Sequence, residues 1–197
     1  MIHAIPGMGG DHRMYQGAWL TLPNFIAHDW PAYRGEKTLA AVADSMCEAR
    51  DIRDGDILVG SSLGGMVACE ITKLRNISRL FLAGSAIERN EVSHLLSVLH
   101  PLMQFVPIES MKLAAARIHS DIFQMLAGSD ASFIRAMCDA IFEWQGLGTT
   151  LTPVYRIHGV HDWVIPLPEK AGLVLDGGHL IAMTHAKECV EYVLTLI

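Results

Sequence analysis

The stretch that most constrains this chain is Gly60-Ser61-Ser62-Leu63-Gly64, because of what stands on either side of it. Ile57-Leu58-Val59 is a short apolar run set off by the turn residues Asp54-Gly55, the mark of a buried strand. From Gly65 to Leu74 no breaker intervenes, and Met66, Val67, Ile71 and Leu74 are spaced for one side of a helix. The five residues between must turn the chain sharply from strand into helix. They fit Gly-x-Ser-x-Gly, in which Ser62 takes a strained backbone position and raises its hydroxyl above the sheet edge. Any Cβ at Gly60 or Gly64 would crowd such a turn. Ser61 is the wrong member of the pair, since the pattern requires the central position.

Around this turn, short apolar strands alternate with helices. Strands are expected at Ile2–Ile5, Phe25–His28, Ile57–Val59, Arg79–Gly84, Pro153–His158 and Gly172–Leu175. Asp11 suits an N-cap for the segment through Tyr15 and Trp19, and Thr38 one for a helix reaching Arg50. A last helix begins at Thr184 or His185, with Val190, Val193 and Leu194 as its inner stripe. This alternation predicts an α/β protein: an open, mostly parallel six-stranded sheet with helices on both faces. The rhythm breaks from about residue 87 to 152, where helical patterns over 94–104, 109–127 and 131–145 interrupt it. Such an insertion reads as a helical cap on a single domain spanning residues 1–197. No internal repeat or low-complexity segment is evident.

Composition narrows the function classes. Hydrophobic residues make up 51% of 197, enough for one sizeable core and against disorder. The net charge is −6 without any Lys/Arg cluster, which argues against nucleic acid or an anionic membrane as partner. No apolar stretch has the length of a membrane span, and no signal-peptide pattern opens the chain, so the cytoplasm is the expected location. Cys47, Cys69, Cys138 and Cys189 are scattered and read as buried free thiols rather than metal ligands. The loop Pro6-Gly7-Met8-Gly9-Gly10-Asp11 lacks a glycine where His12 stands, so the dinucleotide fingerprint fails, and no Gly-Lys-Ser/Thr follows. No cofactor or metal is expected.

In open parallel sheets, functional groups gather beyond the carboxyl ends of the strands. Ser62, Asp162 and His179 all fall there. A serine hydroxyl becomes nucleophilic when a base takes its proton, and His179 suits that role. The imidazole needs a buried carboxylate to fix its tautomer, the part assigned to Asp162, with Glu88 as the substitute. A tetrahedral oxyanion needs two preorganised donors, for which the N–H groups of Met8 and Leu63 are placed. His158 and His161 bracket Gly159 without a third ligand nearby, which favours supporting or surface roles over a metal.

On these motifs the sequence resembles the α/β-hydrolase superfamily, particularly its small esterase and thioesterase members. Pro6-Gly7-Met8-Gly9 is similar to the oxyanion loop and Gly60–Gly64 to the nucleophile turn. Ile157-His158-Gly159-x-x-Asp162-x-x-Ile165-Pro166 is similar to the acid loop, and Gly177-Gly178-His179 to the histidine loop. The likeness covers nearly all of the chain outside the cap. Two features depart from it: fuller members carry two additional N-terminal strands, and Pro6 stands where His-Gly is commoner.

The resemblance implies hydrolysis of a carboxylic ester or thioester through an acyl-Ser62 intermediate. Two other readings remain: cleavage of a C–C bond or lyase chemistry with the same triad, and a non-catalytic protein that holds a small ligand. The cap carries Leu95, Leu96, Leu99, Met103, Phe105, Ile122, Phe123, Phe133, Ile141 and Phe142. A few of these are expected to line an apolar pocket above Ser62 that takes short to medium uncharged acyl groups. Met103, Met111, Met125 and Met137 are expected to be packing residues.

Overall fold

The computed structural model describes residues 1–93 and 120–197. Six strands form one all-parallel sheet in the order β2-β1-β3-β4-β5-β6, where β1 is Ile2–Ile5, β2 Phe25–Ala27, β3 Ile57–Ser61, β4 Arg79–Ala83, β5 Val154–Gly159 and β6 Leu173–Leu175. The central strands are nearly continuous apolar runs because both faces are covered. Successive side chains serve opposite faces. Leu58, Leu80 and Leu82 join one core cluster, while Val59, Phe81 and Ala83 join the other.

The first cluster is closed by α1 (Leu39–Arg50) and α2 (Leu63–Leu74). Thr38 caps α1 by accepting from the Ala41 N–H at 3.1 Å. The second is closed by the 3₁₀ turns at His12–Met14 and Gly17–Thr21 and by the C-terminal helix. Asp11 caps the first of these turns, accepting from Arg13 N–H at 2.9 Å. Trp19 is wholly buried and its indole N–H donates to the Ala182 carbonyl at 2.7 Å, tying these turns to the end of the chain. Phe81 stacks on Tyr155 with ring centroids 5.1 Å apart, and its complete burial is worth about 1.5–3 kcal/mol.

Within the insertion, α3 (Asp121–Gly128) and α4 (Ala131–Glu143) are helical as expected, and Asp130 caps α4 through the Ser132 and Phe133 N–H groups. No strand interrupts the described part of it. The expected helix over 94–104, the first part of that over 109–127, and Leu95, Leu96, Leu99, Met103, Phe105 and Met111 lie outside the described residues. The insertion is tied at its base. Leu147 N–H donates to the Ile87 carbonyl at 2.8 Å. Trp144 Nε1–H donates at 2.7 Å to the buried Glu70, and Lys73 donates to the Gly146 carbonyl at 2.8 Å.

Several boundaries differ from expectation. Helix α2 starts at Leu63 rather than Gly65, Leu63 and Gly64 being wound into its first turn while Gly60 and Ser61 extend β3. Helix α4 stops at Glu143, two residues early. A one-turn helix, α5 (Ile181–Thr184), precedes the closing helix α6 (Ala186–Leu194). No helix among the described residues is long and apolar enough to cross a membrane.

Candidate active site

The turn after β3 brings α2 directly over the strand it follows. A Cβ on Gly60 would stand 2.4 Å from Gly65 Cα, and one on Gly64 would stand 2.3 Å from the carbonyl oxygens of Ile5 and Pro6. Only glycine fits at either place. Ser62 itself sits at φ 51°, ψ −122°, a conformation that costs a non-glycine residue of order 1–3 kcal/mol. It occupies the N-cap position of α2, where serine usually accepts a hydrogen bond from the helix. Here the hydroxyl makes no capping bond. Its Oγ lies instead 2.9 Å from His179 Nε2.

On the other side of the ring, His179 Nδ1 lies 2.9 Å from Asp162 Oδ2 and 3.1 Å from Oδ1. The Asp162 carboxylate is fully buried and accepts two further bonds at Oδ1, from the Val164 and Ile165 N–H groups, each 2.9 Å. Burial would raise its pKa, but the His179 contact and the two backbone donors outweigh that and hold it below the ordinary carboxylate value. An ionised Asp162 accepts from Nδ1–H, which leaves Nε2 free to accept from the Ser62 hydroxyl. Glu88, the substitute acid, is exposed and makes no contact with His179. Ser61 is buried within β3, and its hydroxyl finds no partner among the described residues.

Two glycines make room for these loops. Gly84, at φ +55° after β4, lies against the His179 carbonyl, and a Cβ there would also come within 3.4 Å of Asp162 Oδ2. A Cβ on Gly159 would stand 2.2 Å from the Gly177 carbonyl. The glycine loop after β1 abuts the turn, since a Cβ on Gly7 would be 3.3 Å from Ser62 Cβ. Trp30 Nε1–H braces that loop by donating to the Gly7 carbonyl at 3.1 Å. Among the described residues, neither the Met8 nor the Leu63 N–H has a protein acceptor. Leu63 opens α2, so its N–H also carries the positive end of the helix dipole.

Beside Ser62 and His179 opens a cavity of about 300 Å³. Among the described residues Met66, Val92, Cys138, Ile141, Phe142 and Ile165 line it, and the ionisable groups in its wall are His179 and the Cys138 thiol. Of the apolar cap residues expected there, Ile141 and Phe142 take part. Phe133 packs on Trp30 and Tyr33 instead, and Ile122 and Phe123 face solvent. Met125 and Met137 are buried packing residues. Cys47, Cys69 and Cys189 are buried, and all four cysteines are free. Cys138 corrects the expectation: it is only half-buried because the cavity reaches it, with Sγ 3.9 Å from Met8 Sδ. Burial pushes its thiol pKa up, so it is a neutral wall rather than a thiolate.

His158 is fully buried and hydrogen-bonds the Ile165 carbonyl at 2.7 Å, on the segment whose N–H holds Asp162. Burial lowers its pKa, so it is neutral and Nε2–H is the donor. His161 is exposed and pairs with Asp176, so the two histidines share no ligand position. The ligand-type atoms of Asp11, His12 and Asp29 come within 4.8 Å of one another. Asp11 is already engaged by the Arg13 guanidinium and Asp29 by His12. Sequence reasoning missed Ser85 and Arg156. Ser85 donates its hydroxyl to the Ser62 carbonyl at 2.7 Å, and Arg156 donates to the Ser85 carbonyl at 3.1 Å. Nothing local in the sequence marks either.

A model of the alpha/beta hydrolase family matches residues 2–192. No curated protein matches the sequence. Among solved structures, an esterase from Thermogutta terrifontis superimposes with TM-score 0.70 at 17% identity, over 98% of this chain and 88% of that one. An esterase from Exiguobacterium antarcticum gives 0.71 at 14% identity, over 98% and 90%. The enol-lactonase of Burkholderia xenovorans LB400 gives 0.75 at 16% identity, over 98% and 89%. At these identities the likeness concerns the fold.

Proposed function

The chain belongs to the alpha/beta hydrolase family, and from that premise we propose that it is a serine hydrolase cleaving a carboxylic ester or thioester of a small uncharged acyl group. The observation that carries this reading is the continuous contact from Ser62 Oγ through His179 to the buried Asp162 carboxylate.

His179 Nε2 takes the Ser62 proton as Oγ attacks the carbonyl carbon of the substrate. The negative charge that develops on the carbonyl oxygen is met by the Met8 and Leu63 N–H groups, aided by the α2 dipole. Collapse of the tetrahedral adduct expels the alcohol or thiol, which takes the proton from Nε2, and leaves an ester on Ser62. Water, deprotonated by His179, then releases the acid and restores the serine. Asp162 stays ionised throughout, fixing the tautomer and stabilising the imidazolium. The apolar cavity favours an uncharged acyl chain, each buried methylene contributing about 0.8 kcal/mol until the space is full.

A fluorophosphonate probe and a series of p-nitrophenyl esters test this together. The wild type is expected to be labelled at Ser62, with log kcat/KM rising along the series and then falling. An unlabelled protein would favour a ligand-binding role. A labelled protein inert to every ester and thioester would favour C–C bond chemistry. A flat series, or a preference for anionic acyl groups, would remove the acyl role of the cavity.

A further inference from the structure

One guanidinium beneath the nucleophile turn joins three segments that frame the site. Arg156 lies in the middle of β5 and is 8% exposed. Its Nη1 donates to Glu91 Oε1 at 2.7 Å, and its Nη2 donates to Glu91 Oε2 at 3.0 Å and to the Ser85 carbonyl at 3.1 Å. Through the Ser85 hydroxyl this contact continues to the carbonyl of Ser62, 2.7 Å away. Glu91 also accepts from the Ile87 N–H at 2.7 Å, so the first residues of the cap close around its carboxylate. The next residue, Val92, is part of the acyl cavity wall. Ser93 N–H then donates to the Val164 carbonyl at 3.0 Å, and Val164 N–H holds Asp162.

A bidentate guanidinium–carboxylate pair is planar and directional, so it fixes the relative placement of the parts it joins more tightly than a lysine could. We propose that Arg156 is a positioning residue for acyl transfer. One arm, through Ser85, sets the turn that carries Ser62. The other, through Glu91, sets the Val92 wall. A bound acyl group then meets the hydroxyl in register. This rests on the ester-hydrolase reading above. An ion pair that served stability alone would leave kcat, KM and acyl preference unchanged in any variant that still folds.

The test separates the two arms in the full chain, measuring kcat and KM along the p-nitrophenyl series together with the rate of fluorophosphonate labelling. Ser85→Ala is expected to lower kcat and the labelling rate by about 10-fold with the preferred chain length unchanged, since it loosens only the turn. Glu91→Gln is expected to raise KM for the longer esters several-fold and to flatten the chain-length profile. Arg156→Met combines both effects, with a loss of about 100-fold in kcat/KM for the best ester, and Arg156→Lys recovers little of it. Ser85→Ala added to Arg156→Met costs less than the product of the two, because both cut the same arm.

A folded Arg156→Met with wild-type kcat, KM and chain-length optimum overturns the proposal, as does full multiplicativity of the Ser85 and Arg156 losses. If Arg156→Met fails to fold, Ser85→Ala and Glu91→Gln decide alone, and unchanged kinetics in both overturn it. An unlabelled wild type would instead strike the ester-hydrolase reading, and this proposal with it.

Discussion

Gly84 lies against the backbone of His179 so closely that a Cβ on it would stand 2.7 Å from the His179 carbonyl oxygen, in a backbone conformation (φ +55°) that L side chains rarely adopt. The loop that carries His179 can seat this close to the strand end because position 84 carries no side chain. Gly84→Ala should push the histidine loop outward and lengthen the 2.9 Å contact with Ser62. The expected loss is about 10- to 100-fold in kcat with KM little changed, together with about 1–2 kcal/mol of stability from the left-handed backbone. Steady-state kinetics on the best ester check it. A variant with wild-type kcat would mean that the loop has slack to absorb a methyl group.

Ser62 combines a strained backbone with the proposed nucleophilic role, so its substitutions should separate the two. Ser62→Ala is expected to abolish fluorophosphonate labelling and to lower kcat by about 10⁴-fold or more. Ser62→Gly should be equally inactive yet more stable than the wild type, by about 1 kcal/mol, because glycine accepts φ 51° without penalty. Urea denaturation of the three proteins measures this. Should Ser62→Gly prove less stable than Ser62→Ala, the strain assigned to this residue is wrong.

Asp162→Asn should leave the protein folded and cut kcat by about 10⁴-fold, since an amide that donates to Nδ1 favours the wrong tautomer of His179. Glu88→Gln should be without effect, its carboxylate being exposed. Activity retained in the first and lost in the second would move the acid to the other loop.

His3 and His28 form a buried pair outside the site, with His3 Nδ1 2.8 Å from His28 Nε2 and the rings stacked at 5.1 Å. Burial, then the charge of neighbouring His3, lowers His28 to about 4, and burial likewise lowers His3. In the unfolded chain both titrate near 6.5. Between those values the unfolded state binds more protons than the folded one, so stability is intact above about 6.5 and declines as pH falls toward about 4. His28→Asn should flatten that decline in thermal or urea unfolding. Parallel curves for the variant and the wild type would show that other groups govern it.

The parts legible in the sequence were those written in local patterns. The central parallel strands are buried apolar runs and the half-buried edge strands short apolar ones, so all six are legible, from Ile2–Ile5 to Leu173–Leu175. The loops that carry Ser62, Asp162 and His179 are legible through the glycines and hydrophobic residues each requires, and the fold brings the three side chains within hydrogen-bond reach. The start of α2 is less legible: the pattern Gly60–Gly64 reads as a turn throughout, whereas Leu63 and Gly64 already have helical backbone and Gly64 packs against Ile5 and Pro6. Arg156 and Glu91 are 65 residues apart and share no pattern. Each reads as an ordinary charge until the fold pairs the buried Arg156 with the half-buried Glu91. The half-exposure of Cys138 was hidden for a related reason: it depends on a cavity between α4 and the turn, which no single helix pattern encodes.

The bond between Leu147 and Ile87 means that the cap leaves the sheet and returns to it at nearly one point. To β4 and β5 the excursion is a closed ring, and its circumference matters little: doubling the length of such a ring costs only about 0.6 kcal/mol of closure entropy. What the sheet needs is the clasp, made of Ile87, Leu147 and the Trp144–Glu70 contact beside it. A chamber of different size could therefore be transplanted between residue 93 and Trp144 onto an unchanged floor. Such a graft would exchange the part of the cavity wall made by Cys138, Ile141 and Phe142, while Met66, Val92 and Ile165 would stay with the floor.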